Sequence, residues 1–119
     1  MRAKGQESDE KLFIFNVWMG DQLVSIYPYY LATEELAGLL ERSGFTGFEA
    51  RPAEVRKGEQ FHELRPEVLL PRFVLLEING LLGQSDFSDH ANALVVSSEA
   101  LETILSTKPR MLRHEPFAD

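Results

Sequence analysis

Apolar residues recur along this chain with two different periods, and the change from one to the other is clearest between Ala93 and Leu105. Ala93-Leu94-Val95-Val96 is a run of apolar residues that ends at Ser97 and Ser98. Leu101, Ile104 and Leu105 then follow at the spacing of one helix face. The pattern predicts a strand passing into a helix through a serine cap, whose hydroxyl accepts from a backbone N–H that the helix leaves unpaired. Thr33 to Ser43 has the same design, with Leu36, Leu39 and Leu40 at i, i+3 and i+4. Glu34 and Glu35 stand in its first turn, where the helix dipole favours negative charge, and Gly44 supplies the stop.

Strand signals surround these helices. Leu12 to Trp18 is apolar at nearly every position, as in a strand covered on both faces. Leu23 to Leu31 is rich in tyrosine and β-branched residues but contains Pro28. A proline has no N–H for a central ladder, so an edge strand, a bulge and an ordered loop all fit this stretch. Phe48 to Val55 predicts a strand that Pro52 pushes toward an edge. Phe61 to Pro71 reads as extended and irregular, Arg72 to Asn79 as a strand, Gly80 to Ala91 as a loop, and Met111 to Phe117 as a last strand.

The expected fold class is α+β, a mainly antiparallel sheet with two helices packed on it. Residues 1–10 are polar and are expected to be a flexible lead-in, leaving 11–119 as a single domain. The two helical stretches also resemble each other, since each follows an apolar extended segment and precedes a charged one. A doubled strand-helix-strand unit fits this likeness; so does chance, because any capped amphipathic helix between strands looks the same.

Composition narrows the chemistry. The 119 residues include no cysteine, which removes disulfides, thiolate nucleophiles and cysteine-based zinc sites. No apolar run approaches the ~20 residues of a membrane span, and the N-terminus has no signal-peptide core. A cytoplasmic location and no membrane partner are expected. The formal net charge of -7 suits a basic protein partner and opposes nucleic acid, although solubility alone would also account for it.

Candidate functional residues lie on the predicted loops. His62, His90 and His114 have no ligand-pair spacing, so no metal and no cofactor is expected. The loop with Asp86, Asp89 and His90 reads first as a solvated loop; its functional alternatives are a contact surface and the general-base cluster of a small hydrolase or transferase. Phe61, Glu63 and Glu67 could anchor a partner, with Phe61 as a knob and the glutamates meeting basic side chains. The alternative is a loop pinned to the core by Phe61 and Leu64. Tyr29 and Tyr30, beside Tyr27, suit an interface as well as a core, whereas Trp18 is assigned to the core.

Leu70-Pro71-Arg72-Phe73, then Glu77-Ile78-Asn79-Gly80, Asp86-Phe87, Leu94-Val95-Val96-Ser97 and Glu99-Ala100-Leu101 follow one another in the second half of the chain. This succession resembles the C-terminal half of bacterial proteins of the Imm11-like (DUF1629-type) immunity group. The resemblance implies an intracellular, non-catalytic protein that binds and neutralises a cognate toxin domain. It identifies no contact residue. The leading expectation is a cytoplasmic binding protein of immunity or antitoxin type, using Phe61, Glu63, Glu67, Asp86, Asp89, Tyr29 and Tyr30 against a basic partner. Charge reversal of the four acids is expected to weaken binding with little loss of stability. A homodimer paired through strand edges is the remaining alternative.

Overall fold

The computed structural model of the protein describes residues 11–117; the expected lead-in over residues 1–10 lies outside the described residues. The elements are β1 (Lys11–Phe15), β2 (Leu23–Ile26), β3 (Tyr29–Thr33), α1 (Glu34–Arg42), β4 (Phe48–Lys57), α2 (Glu59–Leu64), β5 (Phe73–Ile78), β6 (Phe87–His90), β7 (Ala93–Val96) and α3 (Ser98–Leu105). Five strands form one sheet in the order β1-β4-β5-β3-β2, and β6 pairs with β7 in a separate ribbon. Among the described residues only β1 and β4 run parallel, and the other pairings are antiparallel. The fold is α+β. The sheet curls, for Phe13 on β1 reaches Tyr29 on β3 across the two intervening strands β4 and β5, with ring centroids 5.7 Å apart.

Both longer helices start and stop by local chemistry. The Thr33 hydroxyl accepts from Leu36 N–H at 3.1 Å, and the Ser97 hydroxyl accepts from Ala100 N–H at 3.2 Å. After α1, Gly44 turns left-handed at φ +81°; its N–H donates to Glu41 O, and Phe45 N–H donates to Leu40 O. This double closure satisfies carbonyls that the helix end would otherwise leave open, and it folds Phe45 back onto the core beside Leu40.

The prolines have different roles from those expected. Pro28 lies between β2 and β3, after a cis peptide bond, so the chain from Leu23 to Thr33 is a hairpin and β3 is an interior strand. Pro52 does not mark an edge either. Phe48 to Pro52 pair with β5, whereas Ala53 to Lys57 pair with β1, so the residue without an N–H falls where β4 changes partner. The sheet edges are β1 and β2.

Other expectations need correction. The first strand ends at Phe15 and is covered on one face only, burying Phe13 and Phe15 while Leu12 and Ile14 stay 51% and 54% exposed. Part of the predicted loop, Phe87 to His90, is a strand, and it turns into β7 through Ala91 and Asn92, both at positive φ. A short third helix, α2, forms around the buried Phe61. No strand forms over Met111 to Phe117. There the N–H groups of Arg110 and Met111 donate to the Asp21 carboxylate, not to a ladder. The two strand-helix units thus share their caps but not their surroundings: β3-α1 leads to β4 in the main sheet, while β7-α3 belongs to the ribbon and precedes no strand among the described residues.

Two clusters make the core. On one face of the sheet, Leu36, Ala37 and Leu40 of α1 pack with Ala100 and Ile104 of α3, Leu76 of β5 and Phe87 of the ribbon. The other face holds Phe13, Phe15, Leu31, Phe73 and Leu75, and Phe61 of α2 closes it. Glycine permits a close approach at one junction. A Cβ on Gly47 or on Gly80 would overlap the carbonyl oxygen of Phe87.

Two glycine replacements should act in opposite directions. Gly38→Ala, inside α1 and facing only the end of the flexible Arg42 side chain, should raise stability by about 0.5–1 kcal/mol through helix propensity. Gly80→Ala should lower it by about 1–3 kcal/mol through overpacking against Phe87. Urea unfolding midpoints measure both.

Candidate functional site

The turn between β1 and β2 meets the first turn of α1 and the segment before β5, and an open cleft of about 480 Å³ lies among them. Trp18, Gln22, Glu34, Glu35, Leu70 and Arg72 are among its lining residues. Each wall is held by backbone chemistry. Trp18 Nε1–H donates to Asp21 O at 2.8 Å, which fixes the indole, and the ring stands edge-on to Phe73 at 6.0 Å. Gln22 takes both the N–H and the hydroxyl of Thr33, at 2.9 and 2.7 Å, on its carbonyl and its side-chain oxygen. Glu34 N–H donates to Arg72 O at 2.9 Å, which ties the helix start to the third wall.

Glu34 and Glu35 are exposed, and among the described residues neither forms an ion pair. Arg72 shares the cleft without bridging to them. Two carboxylates, an indole and an apolar wall from Leu69 and Leu70 make an environment for a cationic side chain. The carboxylates supply charge-assisted acceptors, and a tryptophan ring attracts a cation to its face.

The residues singled out from the sequence are dispersed. Phe61 is 2% exposed and belongs to the core, so it cannot be a knob for a partner, while Leu64, expected to pin the loop, is 72% exposed. Glu63 and Glu67 are exposed on and after α2, where Glu67 lies 3.5 Å from Arg65. Tyr29 is half-buried against Phe13 and has the Lys11 ammonium over its ring. Tyr30 faces the opposite cluster. Burial raises the Tyr30 phenol above its ordinary pKa, and the charges of Asp89 and Tyr27 add to the shift.

Asp86 works within the fold. Its Oδ2 accepts from the N–H and the hydroxyl of Thr46 at 2.9 and 3.2 Å, and its Oδ1 accepts from the Ser97 hydroxyl at 2.8 Å. The Thr46 backbone bond first, then the Ser97 bond, hold its carboxyl below the ordinary carboxylate range. Asp86 therefore does not join Asp89 and His90 in a reactive cluster. His90 instead packs edge-on against Phe117 at 5.5 Å, and none of the three lines the cleft beside Trp18 or the hollow along Phe48 to Arg51. The described residues hold no group of three or more acids or histidines arranged for a metal ion, and no helix among them is long and apolar enough to cross a membrane.

The cleft was not visible in the sequence as a unit. Glu34 and Glu35 explain themselves as dipole-complementing acids, and Trp18 as a core aromatic. What distinguishes them is adjacency across a hairpin. A lone tryptophan followed by a glycine turn, and an acid pair directly after a hydroxyl cap, are the only local signals.

Comparison of the chain with known protein families, curated proteins and solved structures gave no match.

Contrary to the expectation for a loop acid, altering Asp86 should affect stability. Asp86→Asn should cost about 0.5–1.5 kcal/mol at neutral pH, the net range for hydrogen bonds that remain largely open to solvent. Because the folded chain binds the Asp86 proton more weakly than the unfolded chain, this stabilisation is complete above the ordinary pKa of ~4 and is lost as pH falls through the lowered folded value. Denaturation midpoints of wild type and variant should converge in acid.

Proposed function

We propose that the protein is a non-catalytic binding protein of immunity type, acting in the cytoplasm, that takes a basic side chain of a cognate toxin domain into the Trp18–Glu34–Glu35 cleft. One observation carries the reading: two carboxylates without ion-pair partners among the described residues line the same cleft as a fixed indole, with Arg72 also on its wall. An arginine or lysine entering there gains a charge-assisted bond and a ring contact together. The net charge of -7 adds long-range attraction, which raises the association rate of a basic partner. The exposed Glu63, Glu67 and Asp89 belong to this wider field, and nucleic acid is disfavoured by it.

A homodimer is the second reading, favoured by β1. This edge strand exposes Leu12 and Ile14, and a two-fold antiparallel pairing centred on Phe13 would set each Leu12 opposite the Ile14 of the second copy. Sedimentation over a range of concentrations checks it. Reversible dimerisation abolished by Ile14→Lys is expected; a monomer throughout excludes it.

Co-expression with the product of the adjacent gene tests the first reading. Rescue of growth and co-purification are expected. Glu34→Gln with Glu35→Gln should weaken the complex about tenfold or more, equivalent to ~1.4 kcal/mol, with the fold retained. An unchanged Kd removes the cleft from the interface. Without any partner, Trp18 fluorescence gives a second readout: caesium should quench it more than iodide does, and the double variant should narrow that difference.

A further inference from the structure

We infer that Asp21 is a positioning residue that couples the C-terminal segment from Pro109 to Phe117 to the Trp18 wall of the cleft. The inference rests on the reading of that cleft as the binding site. Asp21 is 5% exposed, and both of its carboxylate oxygens are engaged by backbone donors from far along the chain. Arg110 N–H reaches Oδ1 at 2.6 Å and Met111 N–H reaches Oδ2 at 2.9 Å. The carbonyl of the same residue accepts the Trp18 indole N–H. The next residue, Gln22, holds Thr33, which caps α1 and positions Glu34 and Glu35.

One dipeptide therefore joins the tail, the indole and the acidic helix start. The tail itself is set by Lys108, which reverses the chain at φ +58°, and by Leu112, which packs against the core cluster of α1 and α3. If the tail lifts, the Asp21 carboxylate loses two donors. A buried carboxylate without donors is costly, so the turn must open to bring water to it. Opening the turn moves the carbonyl that orients Trp18. A ligand or protease acting on the C-terminal segment would in this way loosen a cleft it never touches.

Trp18 is the only tryptophan in the chain, so its emission reports this coupling in the full-length protein. Asp21→Asn breaks the carboxylate side, and Arg110→Pro removes one tail donor while leaving Asp21 intact. Under conditions where far-UV circular dichroism matches wild type, both should shift the Trp18 emission to longer wavelength and increase its quenching by acrylamide. Asp86→Asn, which loosens the other carboxylate hub, should leave both readings unchanged. Should Asp21→Asn fail to fold, Arg110→Pro decides alone. Unaltered emission and quenching in the folded variants, or an equal change in Asp86→Asn, overturns the coupling. If instead the glutamate variants bind a partner normally while Trp18 responds as expected, the coupling stands and the cleft reading fails.

Discussion

The junction between the β6-β7 ribbon, α3 and the main sheet is organised by the carboxylate of Asp86. It accepts from Thr46, in the connection between α1 and β4, and from Ser97, at the start of α3. Its backbone contributes as well, since Asp86 N–H donates to the Thr46 hydroxyl and its carbonyl accepts from Ser97 N–H. These bonds, with Phe87 N–H donating to Thr46 O, fasten the ribbon and α3 beside the packing of Phe87, Ala100 and Ile104 on the main sheet and α1. That fixture sets the fully buried Phe87 against Phe48 at 5.0 Å, and it requires the bare backbones of Gly47 and Gly80 beside it. Polar satisfaction at the junction and apolar packing beneath it support each other, and neither would hold the ribbon with the same orientation alone.

How far the sequence reveals this arrangement depends on the range of the interaction. The caps Thr33 and Ser97 and the stop at Gly44 are local, so side-chain type and spacing suffice to locate α1 and α3. β6 has a single large apolar residue, and what makes it a strand is Phe87 filling a space built by residues far away in the chain. The C-terminal segment shows the reverse. Met111 to Phe117 reads as a last strand, yet the N–H groups of Arg110 and Met111 at its start are claimed by an aspartate 89 and 90 residues earlier. Proline at positions 28 and 52 was correctly incompatible with an uninterrupted ladder; only the solutions, a hairpin turn and a change of partner, were not readable.

The candidate site follows the same rule. Each of its side chains has an adequate local explanation, and the cleft exists only because the turn after β1, the cap of α1 and the segment before β5 converge. Charge was readable as a total, and its distribution over the surface was not. The acids on loops are partly structural, as Asp86 is, or spread over separate faces, as Glu63 and Asp89 are, whereas the pair beside Trp18 sits on a helix that composition alone explains.

The divided strand β4 bears on how this chain can change over evolutionary time. Its two halves serve different neighbours in opposite relative directions, with Pro52 at the boundary. A residue inserted or deleted within it would shift one pairing against the other and carry the proline into a ladder that needs its missing donor. Length variation among descendants of this sequence should therefore collect in the exposed stretch from Leu81 to Gln84, while β4 stays at ten residues, a fixed ruler against which the remaining strands are set.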